Sequence, residues 1–254
     1  MRPTERDDAA DSVLGKAFAL LGSFRAGDSA VSFAEMARRS GVARPTAHRL
    51  LHQLATHGAV ELSEEGVRLG MRLFEIGQLA ARPRGLREAA APFLSDLFHA
   101  TGETVHLAVA DGDDVIYVHK LDGRLGPELG SRVGGRMPAY CTGVGKVLLA
   151  HAEPDRLRTL LEAGLTRRTP RTVIAPGMFM AELERIRQRG FAEEHEESTV
   201  GIACVAAPVF DAAGAAVAAV SVAGRTHKID TFRFAPAVRT AALGISRSLS
   251  RGSY

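Results

Sequence analysis

Between residues 36 and 58 the chain carries four arginines, three histidines and no acid. Guanidinium groups form paired hydrogen bonds with phosphate oxygens and with the edge of guanine, so such a run suits nucleic-acid recognition. A second stretch, CTGVGK at 141–146, invites a phosphate-loop reading. That motif wants glycine where Tyr140 stands and Ser or Thr where Val147 stands, which excludes a nucleoside triphosphatase. What survives is a glycine-flanked helix start, whose free amides and dipole can hold a carboxylate without a basic side chain. Gly143 would let a ligand approach the backbone, although close packing of helix on sheet asks for the same residue. Cys204, among small apolar residues, reads as a buried inert thiol, since catalysis would need a base in reach. His106, His119 and His195 could join a cysteine around a metal, but no ligand spacing supports it. The EEHEE run at 193–197 reads as a solvated acidic loop.

The basic run needs helices to hold it. Phe33, Met36 and Ala37 fall at i, i+3, i+4. Ser40, Gly41 and Val42 break the pattern, with glycine free to take a tight turn. Ala47, Leu50, Leu51 and Leu54 then mark the buried stripe of a second helix, with Pro45 in its first turn. The opposite face carries Pro45, Thr46, His48, Arg49 and His52, with Arg44 at its border. Small, polar and cationic residues at that end suit entry into a major groove; a helical hairpin with a solvated basic face is the alternative. Upstream, Ser12 caps a supporting helix whose expected inward stripe is Leu14, Ala17, Phe18 and Leu21. Downstream, residues 59–62 and 67–69 alternate around a turn at 63–66, a hairpin that makes the motif winged. Arg68 on the wing either meets a phosphate or stays solvated.

The 254 residues fit two domains, and 46% hydrophobic content allows both a core. No apolar run reaches the roughly 18 residues of a membrane span, and the N-terminus is too polar and acidic for a signal peptide. Two distant cysteines form neither a disulfide framework nor a zinc spacing. The expectation is a soluble cytoplasmic protein. The net charge is only +3, and residues 1–70 balance nine Lys and Arg against nine acids. The positive charge is therefore local to the second motif helix.

Residues 71–81 continue as an amphipathic helix with Met71, Phe74 and Gln78 or Leu79 along one side, either a dimer surface or a face packed back on the first domain. Arg82, Pro83, Arg84 and Gly85 are expected to end it. This divides the chain into a disordered 1–11, a winged helix-turn-helix domain at 12–70, a linker helix at 71–84 and a second domain at 85–254. That domain opens with a helix from Leu86 to about Ala100. A hairpin across Asp111 and Gly112 follows, then a glycine-rich loop, a helix from near Thr142, and helices at 154–163 and 176–189. A second hairpin turns at 211–214 and a helix over about 230–249 closes the chain. Hairpins flanked by helices give an α+β domain with an antiparallel sheet.

SFAEMARRSGVARPTAHRLL, TGETVHLAVADGDDVIYVHKL, VGGRMPAYCTGVGKVLLA and the block from Arg189 to Gly224 together resemble the IclR family of bacterial transcription regulators, over roughly residues 12–250. The resemblance implies a GAF-like or profilin-like effector-binding domain behind the winged helix-turn-helix, and assembly as a homodimer or dimer of dimers. It also implies a ligand pocket with Leu129, Met137 and Ile202 on an apolar side. Its polar side is Gly143, Val144, Glu194, Cys204, Ser221 and Ala223. Members that bind small oxo acids have Asp at the place of Glu194 and Ser at that of Ala223, so the ligand need not be the same.

The expected protein is a ligand-responsive regulator of a catabolic operon, with no cofactor, no membrane and no catalytic residue. Its partners are double-stranded operator DNA and a small organic or aromatic carboxylic acid. Ser32, Arg38, Arg39 and Arg68 join the reading-helix residues in the DNA surface. Arg38 and Arg39 are expected on phosphates, and Arg44, Thr46, His48 and Arg49 near base edges. Glu194 is expected to accept a hydrogen bond from a ligand hydroxyl at the end of the pocket far from the ligand's carboxylate. A thiol- or metal-dependent hydrolase with an accessory helical domain is the competing class.

Overall fold

The computed structural model describes residues 11–25, 27–123 and 129–251. The expected disorder of the N-terminus therefore lies almost wholly outside the described residues. The chain divides into two compact units, Met1–Ala81 and Arg82–Tyr254, each taken by itself below.

In the first unit, helix α1 (Val13–Gly22) starts at Ser12, whose hydroxyl accepts the Gly15 amide at 2.9 Å. Helix α2 (Phe33–Ser40) is capped by Ser32 and ends at Gly41, whose φ of 70° is the left-handed turn that glycine permits. Helix α3 (Arg44–Thr56) follows with Pro45 in its first turn. Strands β1 (Val60–Ser63) and β2 (Gly66–Leu69) pair antiparallel as the wing. Gly66 is obligatory, because a Cβ there would stand 2.6 Å from the Val31 carbonyl oxygen. Leu20, Met36, Ala37, Ala47, Leu50, Leu51 and Val67 form the core. The stripe expected for α1 is corrected: Leu20 is the buried residue, while Leu14 and Phe18 are exposed. Helix α4 (Met71–Gln78) buries none of its residues, leaving Met71, Phe74 and Ile76 exposed.

In the second unit, helix α5 (Ala81–Thr101) already contains positions 82–85, where the linker was expected to stop. A proline in a helix's first turn lacks only an amide that would be unpaired anyway, so Pro83 does not break it. The sheet runs β5 (Arg136–Pro138), β4 (Asp114–Leu121), β3 (Thr104–Asp111), β8 (Ala216–Arg225), β7 (Ile202–Phe210), β6 (Ala192–His195), all antiparallel. One face turns Val105, Leu107, Val205, Val220 and Val222 toward α5 and the last helix, α9 (Thr231–Arg251). The other face is floored by alanines, Ala108, Ala206 and Ala219, which let α6 (Gly143–Ala150) lie close. Helices α7 (Pro154–Ala163) and α8 (Pro176–Arg189) cover α6.

Candidate functional site

Two surfaces bear on function, one in each unit. In the winged unit, Arg44, Pro45, His48, Arg49 and His52 are exposed on α3, and Thr46 is half-buried. Arg44 and Arg49 reach no acid among the described residues. The rings of His48 and His52 lie 4.5 Å apart, and Phe33 packs within 5.9 Å of both. Ser32 caps α2, its hydroxyl accepting the Glu35 amide at 3.3 Å. Arg38 is exposed but bonded to Glu35, and Arg68 pairs with Glu65. Arg39 corrects an expectation. Its side chain is only 14% exposed and bridges Asp28 at 2.6 Å and Glu35 at 2.7 Å, tying α2 to the turn before it. Arg38 and Arg39 hold the Glu35 carboxyl down to about 2. Arg39 is thus a framework residue, its guanidinium held by two carboxylates of its own unit.

In the second unit, Leu129, Met137, Gly143, Val144, Glu194, Ile202, Cys204, Ser221 and Ala223 all line one recess. It lies between the alanine-floored face of the sheet and the start of α6. Thr142 caps that helix: its hydroxyl accepts the Gly145 amide at 3.2 Å and its carbonyl accepts the Lys146 amide at 2.8 Å. The amides of Gly143 and Val144 stay outside the helix ladder, and that of Gly143 is turned to Cys204 Sγ. The need for glycine at 143 comes from packing, since a Cβ there would stand 2.4 Å from Cys204 Sγ. The recess is narrow, its atom-free space about 460 Å³ including the mouth. A ring enters only if flexible walls such as Met137 and Leu129 shift. A shallower hollow, about 960 Å³ including its open mouth, lies beside α7 and α8. Its cations are engaged, Arg158 with Asp155 and Arg187 with Glu184 and the Ala150 carbonyl.

The acidic run at 193–197 is not the solvated loop expected. Residues 192–195 form β6 and place Glu194 opposite Cys204, 1% exposed. Oε1 of Glu194 accepts the amides of Glu197 at 2.5 Å and Ser198 at 3.1 Å. Burial pushes its carboxyl up to about 7 against those two bonds. Glu194 sits at the same end as the helix start: its Cβ is 3.8 Å from where a Cβ on Gly143 would stand. The expected contact with a ligand hydroxyl at the far end is therefore corrected.

Sequence reasoning left out His106, Tyr117, Ser131, Thr142, Ser198 and Thr199, which complete the lining. His106 bonds Ser131 Oγ at 2.9 Å and Ser221 Oγ at 3.4 Å, and burial lowers it to about 3, so the ring is neutral. Tyr117 leans on that ring at 4.8 Å. The alternation of ETVHLAVA already placed His106 on one face of a strand. Its partner Ser221 needed the register of β3 against β8, which no local pattern carries. Behind the recess, Lys146 is fully buried between Glu182 at 2.8 Å and Glu197. Burial opposes its charge, but the two carboxylates outweigh it and raise its pKa. Thr172 and Thr169 donate to the carbonyls of Glu197 and Glu196, fastening the wall that carries Ser198 and Thr199.

Burial raises the Cys204 thiol well above its ordinary value and the Cys141 thiol to about 12, so neither is a nucleophile at neutral pH. Among the described residues no three His, Cys, Asp or Glu side chains converge as a metal set, and no helix is long and apolar enough to cross a membrane.

Two family models divide the chain: the IclR helix-turn-helix domain matches residues 13–64 and the bacterial transcriptional regulator IclR C-terminal domain matches 78–247. The chain is 32% identical over 240 residues to the HTH-type transcriptional regulator XynR of Escherichia coli, covering 92% of this chain and 95% of that one. It is 37% identical over 227 residues to the regulator BhcR of Paracoccus denitrificans, covering 88% and 81%. An IclR homolog from Microbacterium hydrocarbonoxydans, solved as a complex with 4-hydroxybenzoate, superposes with a TM-score of 0.86 at 27% identity, covering 94% of this chain and 99% of that one.

Proposed function

The chain belongs to the IclR family of bacterial transcriptional regulators, and we propose that it binds an aromatic carboxylic acid in the recess and operator DNA through α3 and the wing. The observation that carries the ligand is the two-ended recess. The helix start with the amides of Gly143 and Val144 stands at one end, over Cys204 of β7, and the neutral His106–Ser131–Ser221 group stands toward the other. From β7 to β3 is two strand spacings, roughly 10 Å between backbones. A carboxylate at the α6 start and a hydroxyl at His106 suit a ligand with an apolar body, gripped by Leu129, Met137 and Ile202. The homolog bound to 4-hydroxybenzoate supports that class. Thermal-shift and calorimetric titration with 4-hydroxybenzoate, benzoate, pyruvate and glyoxylate tests it. Stabilisation by the aromatic acids supports the reading; response to glyoxylate or pyruvate alone contradicts it.

On DNA, Arg44, Thr46, His48 and Arg49 approach base edges, while Arg38, Arg68, Ser32, Pro45 and His52 border the phosphates. One head covers too few base pairs, so two must be held about one helical turn apart. The exposed Leu14, Phe18, Met71 and Phe74 supply an apolar surface for a homodimer or dimer of dimers. A monomer in light scattering, with DNA present, contradicts this. As a DNA regulator it acts in the cytoplasm, on genes for catabolism of the acid it senses.

A further inference from the structure

We propose that the effector enters the recess together with a proton, held by Glu194, so that binding and gene control respond to pH as well as to the acid. This rests on the reading of the recess as an acid-binding site and says how that site is neutralised.

Among the described residues lining the recess there is no lysine or arginine. His106 cannot stand in for one, because its ring is buried, neutral and bonded to two serines. The nearest buried ammonium, Lys146, lies between Glu182 and Glu197, one cation against two carboxylates. The helix start sets only amide dipoles, and no cation, against an additional negative charge, and the arriving carboxylate and Glu194 would occupy the same end, beside Gly143. Two carboxylates sharing one dry site cannot both stay ionised. Nor can Glu194 swing away, since the amides of Glu197 and Ser198 fix its Oε1. A proton on the carboxyl removes the repulsion and turns Glu194 from an acceptor into an O–H donor to the ligand. It then does for a carboxylate what a cation does elsewhere.

Of the groups around it, Glu197 is bonded to Lys146, though burial raises its carboxyl too, and the Cys204, Cys141 and Tyr117 protons are all held more tightly by burial. Beyond His106, Lys120 pairs with Asp122. Glu194 itself is raised to about 7 before any ligand arrives.

The test is calorimetric titration of the full chain with 4-hydroxybenzoate and with benzoate, which has no titrating hydroxyl, at pH 6 and pH 8 in phosphate and in Tris. The expected result is a Kd that rises about tenfold from pH 6 to pH 8. At pH 8 the heats should differ between buffers as close to one proton is taken up per acid bound. Glu194→Gln, a neutral donor at every pH, should bind with the same Kd at both, and a thermal melt shows whether it is folded. The wild-type buffer comparison needs no variant. Binding with a flat Kd and buffer-independent heats overturns proton uptake while leaving the acid-binding reading intact. No binding of either acid, or of pyruvate, at pH 6 overturns that reading and the inference with it.

Discussion

The two recognition surfaces handle charge in opposite ways. On the winged unit the cations proposed to meet DNA are left in water: Arg44 and Arg49 are exposed, and the carboxylates nearby pair with Arg38 and Arg39. In the recess the polar groups are out of water, and burial drives them toward neutrality. Glu194 rises to about 7, His106 falls to about 3, and the thiols stay protonated. The head should therefore be governed by salt, which competes for phosphates, and the recess by pH. On the proposed reading, one surface attracts a polyanion and the other a small anion.

The largest expected effect lies where the contrast is sharpest. Lys146→Ala leaves Glu197 buried without its ammonium and should cost about 3–5 kcal/mol in the effector unit. Arg38→Ala, whose ion pair with Glu35 stands in water, should lower the melting temperature far less. Thermal denaturation of both variants compares them, and equal losses would break the distinction. Next, Gly143→Ala drives a methyl into Cys204 Sγ, an overpacking of about 1–3 kcal/mol that also closes the ligand end. Cys204→Ala in the same chain should restore much of the stability, which chemical denaturation measures. If it does not, the glycine serves something other than packing.

On the head, Arg49→Ala should weaken specific operator binding by about 1–3 kcal/mol if it reads a base. Arg39→Ala should leave the salt slope of DNA binding unchanged, because that guanidinium already has two protein carboxylates. Arg38, more exposed, should flatten the slope by up to about one unit when removed. A flattened slope for Arg39→Ala in anisotropy titrations would return it to the phosphates. The smallest effect belongs to Ala223→Ser, which adds a hydroxyl to the recess and should shift preference from aromatic acids toward glyoxylate-sized ones in competitive calorimetry.

The same contrast explains what was legible in the sequence. The helix-turn-helix shows itself in local spacing, because Met36, Ala37, Leu50 and Leu51 are buried at helical period and the arginines stand opposite. Both hairpins and the helices at 154–163 and 176–189 carry equally local signals. The α1 stripe misled, since Leu14 and Phe18 have the spacing of a core yet lie exposed. The helix start at Ala81 was hidden by Pro83 and Gly85, which read as a stop when the first turn tolerates them. The recess was legible only through the family resemblance. Glu194 sits among three glutamates and a histidine, and nothing local says it points inward; pairing with Cys204 decides that. His106 and Ser221 are 115 positions apart and meet only once β3 lies beside β8.

The central claim is that one chain joins salt-governed DNA reading to a neutralised acid recess. Its most direct measurement is a fluorescence-anisotropy titration of the full chain on DNA from beside its own gene and on random DNA, at several salt concentrations, with and without 4-hydroxybenzoate. Tighter binding to the specific DNA, a steep fall with salt, and a shift in affinity on adding the acid are expected. Equal affinity for both DNAs at every salt concentration, or a specific complex indifferent to every acid that binds the protein, would contradict it.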